Sequence, residues 1–188
     1  MAVLPIVITG DPVLHTPAGP VKDFDDALRS LVDDMFETMD AAPGVGLAAP
    51  QVGVPLRVFV YGWVDDDDIE YRGVAINPEL WLSPLSTVPL HDMAEAEGCL
   101  SVPGERYPLR RAHRIILRAL DLDGQPYEFT ADGWLARIFQ HEYDHLDGVL
   151  YVDRLDHANG KAAAKAVKRA GWGTPGLSWM PGVDDLEG

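Results

Sequence analysis

Apolar side chains recur along this chain with two different periods. From Asp25 they fall at Leu28, Leu31, Val32, Met35, Phe36 and Met39, a 3.6-residue stripe that predicts an amphipathic helix capped by Asp25 or Asp26. Ala41-Ala42-Pro43-Gly44 marks its end. The stretch from Gly44 to Gly53, rich in small residues and broken by Pro50, reads as a loop feeding a strand over Leu56 to Tyr61. Gly73 to Asn77 reads as a short strand ended by Pro78. Ala112 to Leu120 alternates like a half-buried strand, Asp121-Leu122-Asp123-Gly124 supplies a turn, and Pro126 to Thr130 returns as its partner. A second helix is expected from near Asp132 to Gly148, and a third over Lys161 to Ala170, ended by Gly171. These elements make an α+β fold of short antiparallel sheets packed around a central helix. Residues 1–172 form a single domain in this reading and 173–188 an irregular tail.

The second helix breaks its own pattern. Core-facing spacing from Leu135 and Ile138 arrives at His141, Glu142 and His145, polar groups where apolar ones are due. Each would cost roughly 2 kcal/mol or more if buried without partners. A metal resolves the conflict. In His141-Glu142-Tyr143-Asp144-His145 the two imidazoles project from one helical face onto one cation, leaving the glutamate free to move protons. Such a site needs a third protein ligand. A metzincin would have histidine where this chain has Tyr151, and a glutamate-type zincin would draw on a downstream glutamate, of which only Glu187 remains. Upstream, Cys99 in Glu97-Gly98-Cys99-Leu100-Ser101 is the best candidate, with an inert buried thiol as the alternative. His15, His91, His113 and His157 lack ligand spacing to a second group. Asp144 falls on another helical face, as a supporting or surface carboxylate.

Composition narrows the field. The chain has 188 residues, 47% of them hydrophobic, enough for one core. Its 30 acidic residues against 15 Lys+Arg give a formal charge of −15, which argues against nucleic-acid binding and for a self-repelling monomer. No apolar run has membrane-spanning length, the N-terminus lacks the pattern of a secretion signal, and the single cysteine suits a reducing compartment, so a cytoplasmic protein is expected. Asp65 to Asp68 reads as a solvated loop tip. Gly44-Val45-Gly46-Leu47-Ala48-Ala49 matches the dinucleotide pattern G-x-G-x-x-A, but a helix precedes it and Pro50 interrupts it, where a nucleotide site needs a strand before and a helix after.

Three segments together resemble the signature motifs of the peptide deformylases: Gly44-Val45-Gly46-Leu47-Ala48-Ala49-Pro50-Gln51, Glu97-Gly98-Cys99-Leu100-Ser101 and Gln140-His141-Glu142-Tyr143-Asp144-His145. The resemblance runs from about Val7 to Leu155. It implies removal of the N-formyl group from N-formyl-methionyl nascent peptides, with release of formate. Cys99, His141 and His145 would hold one divalent metal, commonly ferrous iron in this family, with zinc, nickel or cobalt accommodated. Glu142 would carry protons, and the Gln51 amide and Leu100 N–H would stabilise the oxyanion. Val45 and Gly46 would bind the peptide as an added strand, and Val45 with residues of the metal-bearing helix would line the methionine pocket, where Trp134 and Arg137 are unusual. The basic residues Lys161, Lys165, Lys168 and Arg169 would contact ribosomal RNA, or simply form a solvated helix face. Two rival readings remain: an H-E-x-x-H metallopeptidase, and a relative that only binds N-terminal peptides.

Overall fold

The computed structural model describes residues 2–88, 90, 94–184 and 186. Helix α1 spans Asp26–Ala41, with the Asp25 carboxylate accepting the Leu28 N–H at 3.0 Å. Its stripe is buried through Leu28, Val32, Met35 and Met39. The segment after Gly44 is less irregular than expected. It forms strand β2 (Gly46–Ala48) and a single 3₁₀ turn over Ala49–Val52.

β2 is the edge of a five-stranded antiparallel sheet, followed in order by β3 (Val58–Val64), β4 (Glu70–Leu82), β7 (Arg114–Leu120) and β8 (Pro126–Asp132). β4 does not stop at Pro78. It runs on to Leu82 through a bulge between Ile76 and Glu79, which takes the proline, lacking an N–H, out of the ladder. Asn77 turns into the left-handed region there (φ 49°), and its side chain bonds both the N–H and the C=O of Val21. The acidic run sits at the β3–β4 turn, where Asp65 Oδ1 accepts the N–H groups of Asp67 and Ile69.

Alternation along β3 buries both faces of this sheet. Val58 and Val60 join α1 in one core, while Phe59 and Tyr61 point to α2 (Gly133–Leu146) in the other. Phe139 fixes that second contact, its ring 4.7 Å from Tyr61 and 5.8 Å from Phe59 and Phe129. α2 is therefore covered almost all round. β5 (Ala96–Cys99) and β6 (Val102–Pro108), absent from the hydrophobic pattern, form a separate hairpin beside it. Helix α3 spans His157–Ala170, starting four residues before the expected Lys161 because the Asp156 carboxylate caps it at Asn159. The segment beyond Gly173, read as an irregular tail, carries strand β9 (Ser178–Trp179), which pairs with β1 (Ile6–Val7) and buries Trp179. A division at Gly173 thus separates residues that pack together. Among the described residues, no helix is long and apolar enough to cross a membrane.

Candidate active site

α2 and the β5–β6 hairpin bring Cys99, His141 and His145 together, with their ligand atoms all within 4.8 Å of one another. Cys99 Sγ lies 3.3 Å from His145 Nε2. The ring of His141 offers its Nδ1 to Glu97 Oε2 at 3.2 Å, which leaves Nε2 for the centre of the cluster. Of the competing histidines, His15, His113 and His157 are exposed; His91 and the competing Glu187 lie outside the described residues. Tyr151, at the position of a metzincin ligand, instead stacks on His141 with ring centroids 5.9 Å apart, its hydroxyl donating to the Glu105 carbonyl.

The donor set fits a divalent metal. A thiol and two imidazoles converge in a largely buried space, the His145 Nδ1 finding no partner among the described residues, and soft-plus-borderline ligands of this kind suit iron, zinc, nickel or cobalt. Burial would lower the His141 pKa, but hydrogen bonds with Cys99 and Glu97 hold it well above the usual value. Burial, with His141 and Arg111 nearby, keeps His145 neutral.

Glu142 lies beside the cluster, 4% exposed, with Oε2 lacking a hydrogen-bond partner among the described residues. Burial lifts its pKa to about 7, partly offset by His141, a value suited to taking and returning a proton near neutrality. Its carboxylate rests against Gly46, where a Cβ would come within 2.3 Å of Oε1. Gln51 completes this side. Its Oε1 accepts the Ala48 N–H at 2.9 Å, which points Nε2 at Ser101 Oγ (3.4 Å) and Cys99 Sγ (3.9 Å). Leu100 occupies the β5–β6 turn, so its N–H stands outside the strand pairing.

A cleft of about 340 Å³ opens onto these groups, lined by Val45, Gly46, Gln51, Cys99, Leu100, His141 and Glu142 and, farther out, by Trp63, Arg106, Trp134, Arg137 and Ile138. The residues expected at the site line this cleft except His145, which is not among its lining residues but stands in the cluster with Cys99 and His141.

Sequence reasoning missed the charge network behind the ligands. Arg111, buried, donates from Nε and Nη2 to Glu97 at 3.0 and 2.9 Å and from Nη1 to Asp144 at 2.5 Å. Arg154 closes a bidentate pair on Asp144, and Arg137 reaches Glu97 Oε1 at 2.6 Å and the Leu109 carbonyl at 2.7 Å. Burial alone would raise the Glu97 pKa; hydrogen bonds from His141 and Arg111 instead hold this carboxylate far below its ordinary range. Asp144 is thus the buried alternative of the two expected. No local signal marks Arg111, whose partners lie 14 and 33 residues away.

Comparison with known proteins agrees with this geometry. The polypeptide deformylase family model matches residues 3–161. The chain is 51% identical to the peptide deformylase of Rhodococcus opacus, over 97% of this chain and 95% of that one, and 53% identical to that of Mycolicibacterium smegmatis, over 97% and 96%. Its fold superposes on a Legionella pneumophila peptide deformylase with a TM-score of 0.76 at 40% identity (90% of this chain, 96% of that one). It also superposes on a Synechococcus elongatus peptide deformylase in complex with actinonin with a TM-score of 0.78 at 35% identity (93% and 92%). With its three motifs folded into one cleft, the chain belongs to the polypeptide deformylase family.

Proposed function

We propose that this protein hydrolyses the formyl amide of N-formyl-methionyl nascent peptides at the cleft, with Glu142 as the group that carries the proton. The observation that carries the assignment is the placement of a buried, unpartnered glutamate oxygen beside converging Cys99, His141 and His145. Cys99, His141 and His145 would hold the divalent metal, which we assign as ferrous iron with zinc, nickel or cobalt able to replace it, and when bound it would supply the Lewis acidity that makes water nucleophilic near neutrality.

The protein groups supply the rest. Glu142 takes a proton from the attacking water as its oxygen bonds to the formyl carbon, then delivers it to the methionine nitrogen as the C–N bond breaks; the free amine departs, and the formic acid gives up the second water proton to leave as formate. Gln51 Nε2 and the Leu100 N–H donate to the formyl oxygen as it gains charge. β2 is an unpaired sheet edge at the cleft, so Val45 and Gly46 suit an extended peptide that adds as a strand through backbone bonds, tolerant of sequence. Val45, Ile138, Trp134 and the stem of Arg137 line space for the methionine side chain; the Arg137 guanidinium is drawn off to Glu97 and the Leu109 carbonyl.

Formate release from formyl-Met-Ala-Ser, measured with metal content for the wild type and Glu142→Ala, tests the assignment. The variant is expected to keep its metal and lose turnover. An active Glu142→Ala protein refutes the proton role, and cleavage of an internal peptide bond would mark a metallopeptidase.

We further assign the protein to the cytoplasm as a monomer working at the ribosome. In support, Lys161, Lys165 and Lys168 lie exposed along α3, with Arg169 shared with Glu105 at 3.2 Å. Ribosome co-sedimentation unchanged by neutralising these four would remove that contact.

A further inference from the structure

Nothing in the sequence pattern gives residues 173–188 a role, and the family model ends at residue 161. Yet the chain returns from α3 along the first strand to a point directly under the proposed oxyanion turn. The Gly173 N–H donates to the Thr9 carbonyl at 3.1 Å, and the Ile8 N–H to the Leu177 carbonyl at 2.9 Å. The two segments touch so closely that a Cβ on Gly10 would lie 2.3 Å from the Gly173 carbonyl carbon. Trp179 then pairs opposite Ile6 and is 3% exposed, in a core it shares with Met35, Leu47 and Leu100.

Its indole Nε1–H donates to the Leu100 carbonyl at 2.8 Å, and the Thr9 N–H donates to the Ser101 carbonyl at 2.8 Å. Both carbonyls of the turn are therefore held from below. Leu100 and Ser101 form the two-residue turn between the paired Cys99 and Val102; the Leu100 N–H lies in the Cys99–Leu100 peptide plane and its carbonyl in the Leu100–Ser101 plane, so an anchor on the carbonyl sets the N–H through the Leu100 backbone dihedrals. Cys99 fixes the turn on one side as a metal ligand, and the indole fixes it on the other. A donor aimed at developing charge is effective only where it need not reorganise during reaction.

We propose that Trp179 is a positioning residue for deformylation: its indole N–H anchors the Leu100 carbonyl and so aims the Leu100 N–H at the formyl oxygen. This rests on the assignment of that N–H as an oxyanion donor. The C-terminal segment is then part of the catalytic unit.

The test replaces Trp179 with benzothienylalanine, which keeps the bicyclic shape and lacks the donor, and with Phe. Steady-state kinetics on formyl-Met-Ala-Ser, bound metal and thermal unfolding are measured for the full chain. Trp172→Phe is the control, since Trp172 packs on the same core but makes no hydrogen bond to the turn. The expected result is a fall of about tenfold in kcat with KM and metal unchanged in both Trp179 variants, a fraction of the roughly 100-fold or greater loss when an oxyanion donor is deleted outright. Trp172→Phe should keep wild-type kcat. Unchanged kcat in the benzothienylalanine protein overturns the proposal. So does a loss that Trp172→Phe shares, or one accompanied by a raised KM or a fall in bound metal. Replacing Leu100 by its α-hydroxy acid removes the N–H and keeps the side chain. Wild-type kcat there refutes the oxyanion assignment itself, whereas lost kcat there with active Trp179 variants refutes only the role of Trp179.

Discussion

Gly46→Ala should disable the enzyme while barely disturbing its fold. Gly46 does not have a positive φ, so alanine meets no backbone strain there. The obstacle is Glu142: the new methyl would lie 2.3 Å from its Oε1, 2.7 Å from Cδ and 2.8 Å from Cγ. Ordinary contacts for such atoms begin near ~3.3–3.5 Å, so the carboxylate must swing by about 1 Å. It can do so, because the clash falls on side-chain atoms of a residue bordering the cleft, from Cγ to the carboxylate, rather than on backbone. The stability loss should therefore sit at the low end for overpacking, about 1 kcal/mol, or roughly 2–4 °C in Tm for a domain of this size. Displacement of a proton-carrying group by 1 Å is a different matter, and a loss of about 100-fold in kcat is expected. Formate release at saturating substrate, metal content and thermal unfolding check both halves. A double-mutant cycle isolates the cause: in a Glu142→Ala background the added methyl meets no carboxylate, and its Tm penalty should vanish. A kcat within threefold of wild type, or a Tm penalty that persists in that background, would show that the Gly46–Glu142 contact is not what requires glycine.

Two further outcomes follow from buried groups elsewhere. Glu97→Ala strips the shared carboxylate from Arg111, Arg137 and His141, and losing one partner of such a buried pair costs about 3–5 kcal/mol, or roughly 6–20 °C in Tm; denaturant unfolding of the metal-loaded protein measures it, and a loss under 1 kcal/mol would show the network to be slack. Tyr127 donates to the Val74 carbonyl at 2.7 Å, and burial, then the neighbouring Tyr61, raises its pKa above the ordinary 10. The folded protein thus holds this proton more tightly than the unfolded chain, so its contribution is full below about pH 10 and declines as pH rises through the folded value. Tyr127→Phe should therefore flatten the loss of stability above pH 10, and an unchanged slope would count against the shift.

The hydrophobic pattern of this chain records the interactions that are local in sequence. The α1 stripe and the paired β7 and β8 run over consecutive residues and were visible in the hydrophobic pattern. The ligand helix was visible for the opposite reason, through polar residues in a row of core positions. β5 and β6 carry no alternation because Ala96 to Cys99 and Val102 to Pro108 serve the site and a separate small core. β4 was cut short because a proline within a strand reads as an end, and only the partner strand reveals a bulge. Trp179 lies 79 residues from the carbonyl it holds, and no local pattern records that distance.

Those long-range contacts explain how three motifs from separate parts of the chain hold one geometry. Cys99 comes from a two-stranded hairpin and both histidines from a helix, so without other contacts a metal would have to bridge two separate elements. Arg111 already bridges them. It grips Glu97, two residues before Cys99, and Asp144, one residue before His145, with its donors spread over both carboxylates. Arg154 fixes Asp144 from outside and Arg137 fixes Glu97 from the helix. Desolvating so many charges would gain little net stability over an apolar packing, so stability is a poor reason for the arrangement. Position is a better one. Bidentate guanidinium forks tolerate little change in distance or angle; Arg111 ties the Cys99 hairpin to the histidine helix by a fork on Glu97 and a single bond to Asp144, and Arg154 closes a second fork on Asp144. The hairpin turn that carries Leu100 is then braced from two sides, by Arg111 behind the ligands and by Trp179 beneath the turn. An oxyanion donor on an otherwise short, isolated hairpin needs such bracing, because a sheet of two strands has little rigidity of its own.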